Sequence, residues 1–238
     1  MLPRAWHAET NQVDGRLKGN GVFFLPWIGR DYENGFKGQK LLILGESHYD
    51  TWCGEKHKLR RNFTRGCVAG ICARDHDSRA ALWLNLEQAL LNQARLGGWA
   101  QGGGAEFWPR LAFYNFLQTP VTGGADAKPQ PKQFTDSRPP FRAVIEELRP
   151  ERILVCGYKR LWEQMESTPY ELNKENGETK ELYLHNRLQA YLLKDSRPVW
   201  CLAIQHPSRA FSWRAWHPVI EKFVREPRSA ISDLQRLC

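Results

Sequence analysis

The sequence predicts an α/β protein, a three-layer α/β/α sandwich around a central sheet of four parallel strands. Four short apolar runs have the length and composition of buried strands, and segments with helical spacing separate them. Because helices that connect parallel strands cover both faces of a sheet, these observations favour three layers. The 238 residues and 42% hydrophobic content permit one domain over residues 1–238, with its core at about 40–226.

The four strands are predicted at residues 40–44, 111–117, 152–156 and 199–204. Each is a nearly continuous apolar run, which is typical of strands buried on both faces. We expect a loop from the first strand to about Asp77. A second, exposed loop is predicted over residues 119–132, which are rich in Gly, Pro and Lys.

The predicted helices begin at Ser78, near Phe141, near Tyr158 and near Trp213. Apolar residues recur at intervals of three and four in the first, second and last of these, which indicates one buried face on each helix. The polar stretch 171–181 is predicted to be an excursion before the fourth strand, and we assign it no function.

The chain is basic, and this charge favours a polyanionic partner such as nucleic acid. Lys and Arg number 34 against 26 Asp and Glu, a formal net charge of +8. A local basic group follows the first strand, and an ordinary solvated loop is the alternative explanation for it. Its members are Lys56, Lys58, Arg60, Arg61 and Arg65.

The sequence predicts a cytoplasmic protein with no membrane segment. No stretch approaches the roughly 20 apolar residues of a membrane span, and the first ten residues lack the apolar core of a signal peptide. The six cysteines are scattered, and two of them, Cys156 and Cys201, lie in predicted strands, which indicates free buried thiols.

Three cysteines and one histidine, both metal-ligating residue types, follow the first strand with wide spacing. Cys53, Cys67, Cys72 and His76 fit a loose zinc-module pattern, but they contain no tight pair of cysteines. Ordinary thiols are the alternative, and we predict no metal site.

Polar residues follow the first and fourth predicted strands. Glu46, Ser47, His48 and Tyr49 come after the first strand, and the sequence His-Pro-Ser at 206–208 comes after the fourth. The carboxyl ends of parallel strands share one edge of a sheet, so loops that are distant in sequence converge there. We therefore predict one active site that contains a carboxylate, two histidines and small hydroxyls.

This ordered set of motifs resembles the uracil-DNA glycosylase superfamily. The matching elements are Gly-Glu-Ser-His-Tyr at 45–49, Phe-Tyr-Asn-Phe at 113–116, Val-Cys-Gly at 155–157 and His-Pro-Ser at 206–208. The similarity covers about residues 40–223, so the chain looks like a divergent member. The resemblance implies the family's four-stranded fold and the excision of a base from DNA.

The resemblance also implies roles for single residues. Breaking an N-glycosidic bond places positive charge on the sugar and negative charge on the departing base. Glu46 would orient or deprotonate water, and His206 would donate a hydrogen bond to the base. Asn115 falls where the family places an asparagine that reads the base edge, and Tyr49 or Phe63 would stack on the base.

Further residues are candidates for the same site. His48 is a second catalytic candidate. Three residues at the strand ends, Ser47, Gly157 and Ser208, would contact DNA phosphates. Ala210 aligns with the family's wedge leucine, so either neighbour, Arg209 or Phe211, would penetrate the duplex instead.

Each assignment has a structural alternative that the sequence leaves open. Glu46 could cap the helix or loop that follows it, His206 could brace its turn, and His48 could link neighbouring loops. Asn115 could satisfy backbone groups at its strand end, and the aromatic candidates could belong to the core.

The expected function is that of a monofunctional DNA glycosylase, a hydrolase that flips out a damaged or modified pyrimidine and leaves an abasic site. Ser47 aligns with an aspartate of the best-known branch, so specificity for uracil does not carry over. DNA repair and defence against phages with modified cytosines are both open. The alternatives are a non-catalytic sensor of modified DNA and a hydrolase of free nucleosides. We expect double-stranded DNA as partner, a monomer and no cofactor.

Overall fold

The computed structural model describes residues 7–53, 60–73, 81–96, 99–100, 107–124, 127–166, 187–195, 197–208 and 210–225. Six strands form the main sheet, and two more form a separate ribbon. The main-sheet strands are β1 (Trp27–Ile28), β2 (Leu41–Gly45), β5 (Ala112–Asn115), β6 (Arg152–Cys156), β7 (Arg187–Leu192) and β8 (Pro198–Ile204). The ribbon consists of β3 (Arg95–Leu96) and β4 (Trp99–Ala100).

The strand order in the main sheet is β1-β5-β2-β6-β8-β7, and its four central strands are parallel. Gly45 pairs with Asn115 on one side of β2, and Leu44 pairs with Val155 on the other. The outer strands β1 and β7 are antiparallel to their neighbours. The loops that follow the four central strands therefore all leave the sheet at one edge.

Helices pack against both faces of this sheet. They are α1 (Asn11–Gly19), α2 (Asp50–Cys53), α3 (Phe63–Cys72), α4 (Ala81–Leu91), α5 (Pro131–Leu148), α6 (Arg160–Glu166) and α7 (Trp213–Arg225). One apolar cluster joins α1, α5 and α6 to Leu42 and Leu44, and a second joins α3, α4 and α7 to Leu41 and Ile43. Alternate residues of β2 thus point into two separate cores, as the pleat of a strand requires.

The predicted α/β class agrees with the structure, but the main sheet is mixed and has six strands among the described residues, where four parallel strands were predicted. The prediction omits β1, which has only two residues, and β7, whose sequence alternates polar and apolar residues. Such alternation is typical of a strand near a sheet edge, where one face meets less of the core. The search for continuous apolar runs therefore found the central strands and missed the edges.

Four helices also differ from the prediction: α1, α2 and α3 were not predicted, and α5 begins earlier than expected. The expected loop up to Asp77 contains α3, whose buried Val68 and Ile71 pack into the second core. Helix α5 begins at Pro131 rather than near Phe141, because a capping box closes its first turn. The Gln130 side chain accepts from the backbone at Gln133, and the Gln133 side chain accepts from the backbone N–H of Gln130.

Several predictions concern thiols, membranes or residues outside the described ranges. Cys156 and Cys201 are buried free thiols, as predicted, and burial raises the pKa of both. Among the described residues, no helix is both long enough and apolar enough to cross a bilayer. The polar stretch 171–181 lies outside the described residues.

Candidate active site

A cavity of about 340 Å³ lies at the edge where β2, β6 and β8 end. From β2 the chain continues to β5 on one side and then crosses to β6 on the other side, so the strand order reverses at β2. Open α/β sheets bind their ligands at such switch points. The lining residues are Glu46, Cys156, Gly157, Tyr158, Lys159, Arg160, Leu161, Gln205, His206 and Ser208.

Glu46 is positioned by the backbone of the loop after β2. The carbonyls of Gly45 and Glu46 accept hydrogen bonds from Phe116 and Leu117 at 2.9 Å each, and His48 O accepts from Val121 at 2.8 Å. These bonds fasten the 45–48 segment to the chain that follows β5. The backbone that carries the Glu46 side chain is therefore fixed.

The Glu46 carboxylate is held by a bidentate ion pair with Arg160. Arg160 Nε donates to Oε2 at 2.7 Å, and Nη2 donates to Oε1. The Glu46 side chain is 10% exposed and that of Arg160 is 43% exposed, so the carboxylate forms the inner part of the pair. The carboxylate raises the pKa of Arg160 through this hydrogen bond.

His206 also lines this cavity, in the loop after β8. The residue is exposed to solvent, yet desolvation by the surrounding protein lowers the pKa of its ring. The charge of Glu46 raises this pKa, and the charge of Arg160 lowers it. The net effect is a lowered pKa, which keeps the imidazole neutral at neutral pH and able to donate a hydrogen bond.

The loop that carries His206 is fastened by helix α4. Asn85 Nδ2 donates to Ser208 O at 2.8 Å, and the backbone N–H of Ser208 donates to His206 O at 2.7 Å. Gly157, with φ of 139°, turns the chain after β6, and its N–H donates to Ile204 O at 3.0 Å. The chain after β6 is thus joined to the end of β8, from which the His206 loop departs.

His48 does not line the cavity, although it was predicted as a second catalytic residue. It is buried, its Nε2 lies 2.8 Å from Thr64 Oγ1, and its ring has edge contacts with Phe24 and Phe63. Burial lowers the pKa of His48 to about 3. The structure therefore places His48 outside the cavity lining, where its buried, neutral imidazole links neighbouring elements.

Asn115 also lies outside the cavity lining. Its Nδ2 donates to Ser47 O at 3.1 Å and lies 3.2 Å from Nδ1 of His48. A His48 ring with its proton on Nε2 satisfies both Asn115 and Thr64. In this structure Asn115 has the structural role that the sequence left open, because its amide is committed to the motif loop.

Gly45 permits the close approach of Asn115. A Cβ atom on Gly45 would lie 2.1 Å from Asn115 Oδ1 and 3.1 Å from Phe113 Cζ. The Asn115 side chain is buried and bonded, so it has no free space to yield. The glycine of the 45–49 motif is therefore required by packing.

The remaining predicted residues are spread over several environments. Ser208 and Gly157 line the cavity, while Ser47 contributes its carbonyl to Asn115. Tyr49 lies near enough to Arg160 to raise its pKa, and the ring of Phe63 packs on His48. The structure therefore places the predicted base platform Phe63 in an aromatic cluster beside the site.

The two candidate wedge residues have different outcomes. Phe211 is 7% exposed, and its ring stacks on Trp216 with an interplanar angle of 5°. The structure therefore places the Phe211 ring in the second core and outside the cavity lining. Arg209 lies outside the described residues.

Sequence analysis missed Arg160 and Lys159. Both follow β6 at the same sheet edge as Glu46 and His206, so the rule that located those two residues applied here as well. They were assigned only to the start of a short helix. Their position directly after a buried strand was the signal.

The four residues of the loose zinc-module pattern lie only in part within the described residues. Cys67 and Cys72 lie on α3, whereas His76 and the side chain of Cys53 lie outside the described set. Within that set, no group of three or more His, Cys, Asp or Glu side chains could hold a metal ion.

Comparison with known proteins leaves the site to be interpreted from its own chemistry. No protein-family model and no curated protein sequence matches this chain. The arrangement offers a carboxylate, a neutral imidazole, two cationic side chains and a tyrosine around one open cavity. Such a set suits an anionic ligand whose reaction needs both a negative group and a hydrogen-bond donor.

Proposed function

We propose that the protein is a DNA glycosylase that hydrolyses the N-glycosidic bond of an extruded, modified or damaged pyrimidine. The observation that carries the proposal is the presence of Glu46 and His206 in one cavity at the switch point of the sheet. The residues that follow the first and fourth parallel strands share this cavity, in keeping with the uracil-DNA glycosylase-like, three-layer arrangement that we propose for the chain.

The two side chains suit the charges that develop in glycosidic cleavage. Negative charge on the departing base is stabilised by a hydrogen bond from neutral His206, whose lowered pKa disfavours the charged ring. Positive charge on the sugar is stabilised by the Glu46 carboxylate, which also orients the attacking water. The water supplies OH to the sugar carbon, and its proton passes to the base or to solvent.

The size and the lining of the cavity support a nucleotide-sized ligand. A volume of about 340 Å³ lies at the lower end of small-molecule sites, which range from about 300 to 1,000 Å³. Tyr158 brings an aromatic ring to this lining and is the candidate within the lining for stacking on the base, whereas Phe63 packs on His48. Lys159 and Arg160 add positive charge for the phosphates of DNA.

The test is base release from synthetic duplexes that carry uracil, alkylated bases or hypermodified cytosines, with abasic sites detected by mild alkaline cleavage. We expect release from at least one class, and a loss of about 10²–10⁴-fold in Glu46→Gln and in His206→Ala. Arg16→Gln is the matched control, because Arg16 makes a similar bidentate pair with Glu147 away from the cavity. It should retain full activity.

Three other outcomes would overturn the proposal. Specific binding of modified duplexes without release would indicate a sensor. Cleavage of free nucleosides without activity on DNA would indicate a small-molecule hydrolase. Release that survives in both cavity variants would show that the chemistry belongs elsewhere in the protein.

A further inference from the structure

We propose that Arg160 is an exchangeable cap on Glu46, which pairs with the carboxylate in the free protein and transfers to a backbone phosphate when a polynucleotide enters the cavity. This inference rests on the proposed function in taking a nucleic acid as the ligand. It gives a role to a residue that is outside the sequence-predicted site.

The geometry of the pair favours exchange. The carboxylate of Glu46 is on the inner side and almost covered, whereas the guanidinium of Arg160 is 43% exposed and reachable from solvent. An entering strand therefore meets the cation first. A guanidinium donates the same pair of parallel hydrogen bonds to a carboxylate or to a phosphate, so two phosphate oxygens can replace the two carboxylate oxygens as acceptors.

The loss of the ion pair need not oppose binding strongly. Pairs with one partner this exposed are screened by water and contribute little to stability. The new pair with phosphate compensates for the lost pair with Glu46. Lys159, which is exposed beside Arg160 in the same lining, adds a second positive charge.

The exchange would also prepare the site for chemistry. While Arg160 is bound, the Glu46 carboxylate is neutralised by the guanidinium and its oxygens are occupied as acceptors. After transfer, the carboxylate faces the cavity as an uncompensated anion, the state required opposite a positively charged sugar. His206, which senses both charges, lies in the same cavity. Substrate binding would thereby activate the general base.

The experiment measures the affinity of the whole protein for a short fluorescent oligothymidylate over a range of salt concentrations. Arg160→Gln should weaken binding by about 3–10-fold and reduce the salt slope by about 0.7, the value for one lost phosphate contact on a single strand. Glu46→Gln should act in the opposite direction and tighten binding about threefold or more, because it releases Arg160.

A double-mutant cycle separates exchange from general electrostatics. The gain from Glu46→Gln should vanish in the Arg160→Gln background. It should persist in the Lys159→Gln background, where the same charge is removed from the same cavity but the ion pair with Glu46 remains. Arg160→Lys, which keeps the charge and loses the fork, should retain the salt slope and bind more weakly than the native protein.

Three results would overturn the inference. If Glu46→Gln still tightens binding in the Arg160→Gln background, the effect of Glu46 is charge repulsion of the phosphates and not competition for Arg160. Weaker binding by Glu46→Gln, with an unchanged thermal midpoint, would make the pair a fixed structural element. Failure of the native protein to bind the oligonucleotide at low salt would exclude a polynucleotide as the ligand that displaces Glu46. Base release is measured separately, so loss of the glycosylase proposal alone leaves these binding results unaffected.

Discussion

Two regions that begin in the same pentapeptide, residues 45–49, differ in the access that solvent has to their polar groups. Glu46 lines an open cavity together with His206 and pairs with the exposed Arg160. Two residues later, His48 is sealed between aromatic rings, with Thr64 beside its ring. The first region keeps its ionisable groups reachable by solvent and ligand. The second keeps its polar groups away from both.

This difference shows how one motif serves two purposes. A buried polar cluster fixes the loop, because its hydrogen bonds are costly to break in a low-dielectric surrounding. The open cavity can then present side chains from a fixed backbone while those side chains exchange partners. Within this one motif, His48 supports the backbone of the site, whereas Glu46 is part of the site itself.

The largest expected effect comes from disturbing the sealed region through Gly45. Gly45→Ala places a methyl group 2.1 Å from Asn115 Oδ1, so Asn115 must rotate away and lose its bonds to the motif loop. We expect a loss of about 2–4 kcal/mol in the free energy of unfolding. Urea denaturation at neutral pH measures it.

Gly66→Ala is the matched control for this prediction. Gly66 lies in α3, and a Cβ there would meet nothing within 4 Å, so alanine should be neutral or stabilise by up to about 1 kcal/mol. The cost of Gly45→Ala should also be less than additive with Asn115→Ala. Equal effects of the two glycine substitutions would contradict the proposed role of Gly45.

The contrast between the two regions limits what sequence could predict. The central strands were found because continuous apolar runs mark strands buried on both faces, and the switch-point rule then brought Glu46 and His206 together. Sequence could not separate Glu46 from His48, because both are polar residues after the same strand. Which of them meets solvent is decided by Phe24 and Phe63, which approach from other parts of the chain.

Helix α5 and Arg160 illustrate two other limits. The capping box and the N1 proline mark the start of α5 in the sequence. The Pro-rich composition of the same segment favoured a loop, and the prediction followed that composition. Arg160 was visible as a residue after a strand, but an arginine near a helix start has no distinctive pattern. Only the partner it finds, Glu46 of another loop, identifies it.

The second prediction concerns acid stability and tests whether His48 is sealed. Its pKa is lowered from 6.5 to about 3, so between these values the unfolded chain binds a proton that the folded protein excludes. Stability therefore falls as pH falls through this window, by about 1.4 kcal/mol per pH unit. His7, with a pKa lowered to about 4, adds to the same trend.

The measurement is the free energy of unfolding from urea titrations between pH 7 and pH 4. His48→Gln should reduce the slope against pH by about one proton relative to the native protein, while His206→Ala should change it less. If His48→Gln does not fold, NMR titration of the native His48 ring gives the same answer. A His48 that titrates near 6.5 would place it in contact with solvent and remove the contrast.

The smallest expected effect is on the open region and concerns the pKa of His206, measured by NMR titration of its ring. Arg160 lowers this pKa and Glu46 raises it, so Arg160→Gln should move it upward and Glu46→Gln should move it downward. Arg16→Gln, which breaks a comparable pair elsewhere, should leave it unchanged. Because the neutral ring is the proposed donor, the acid limb of base release should follow the shift in Arg160→Gln. The same pKa of His206 in all these proteins would show that the charges of Glu46 and Arg160 do not act on the imidazole. The open region would then lack the electrostatic coupling that distinguishes it from the sealed region.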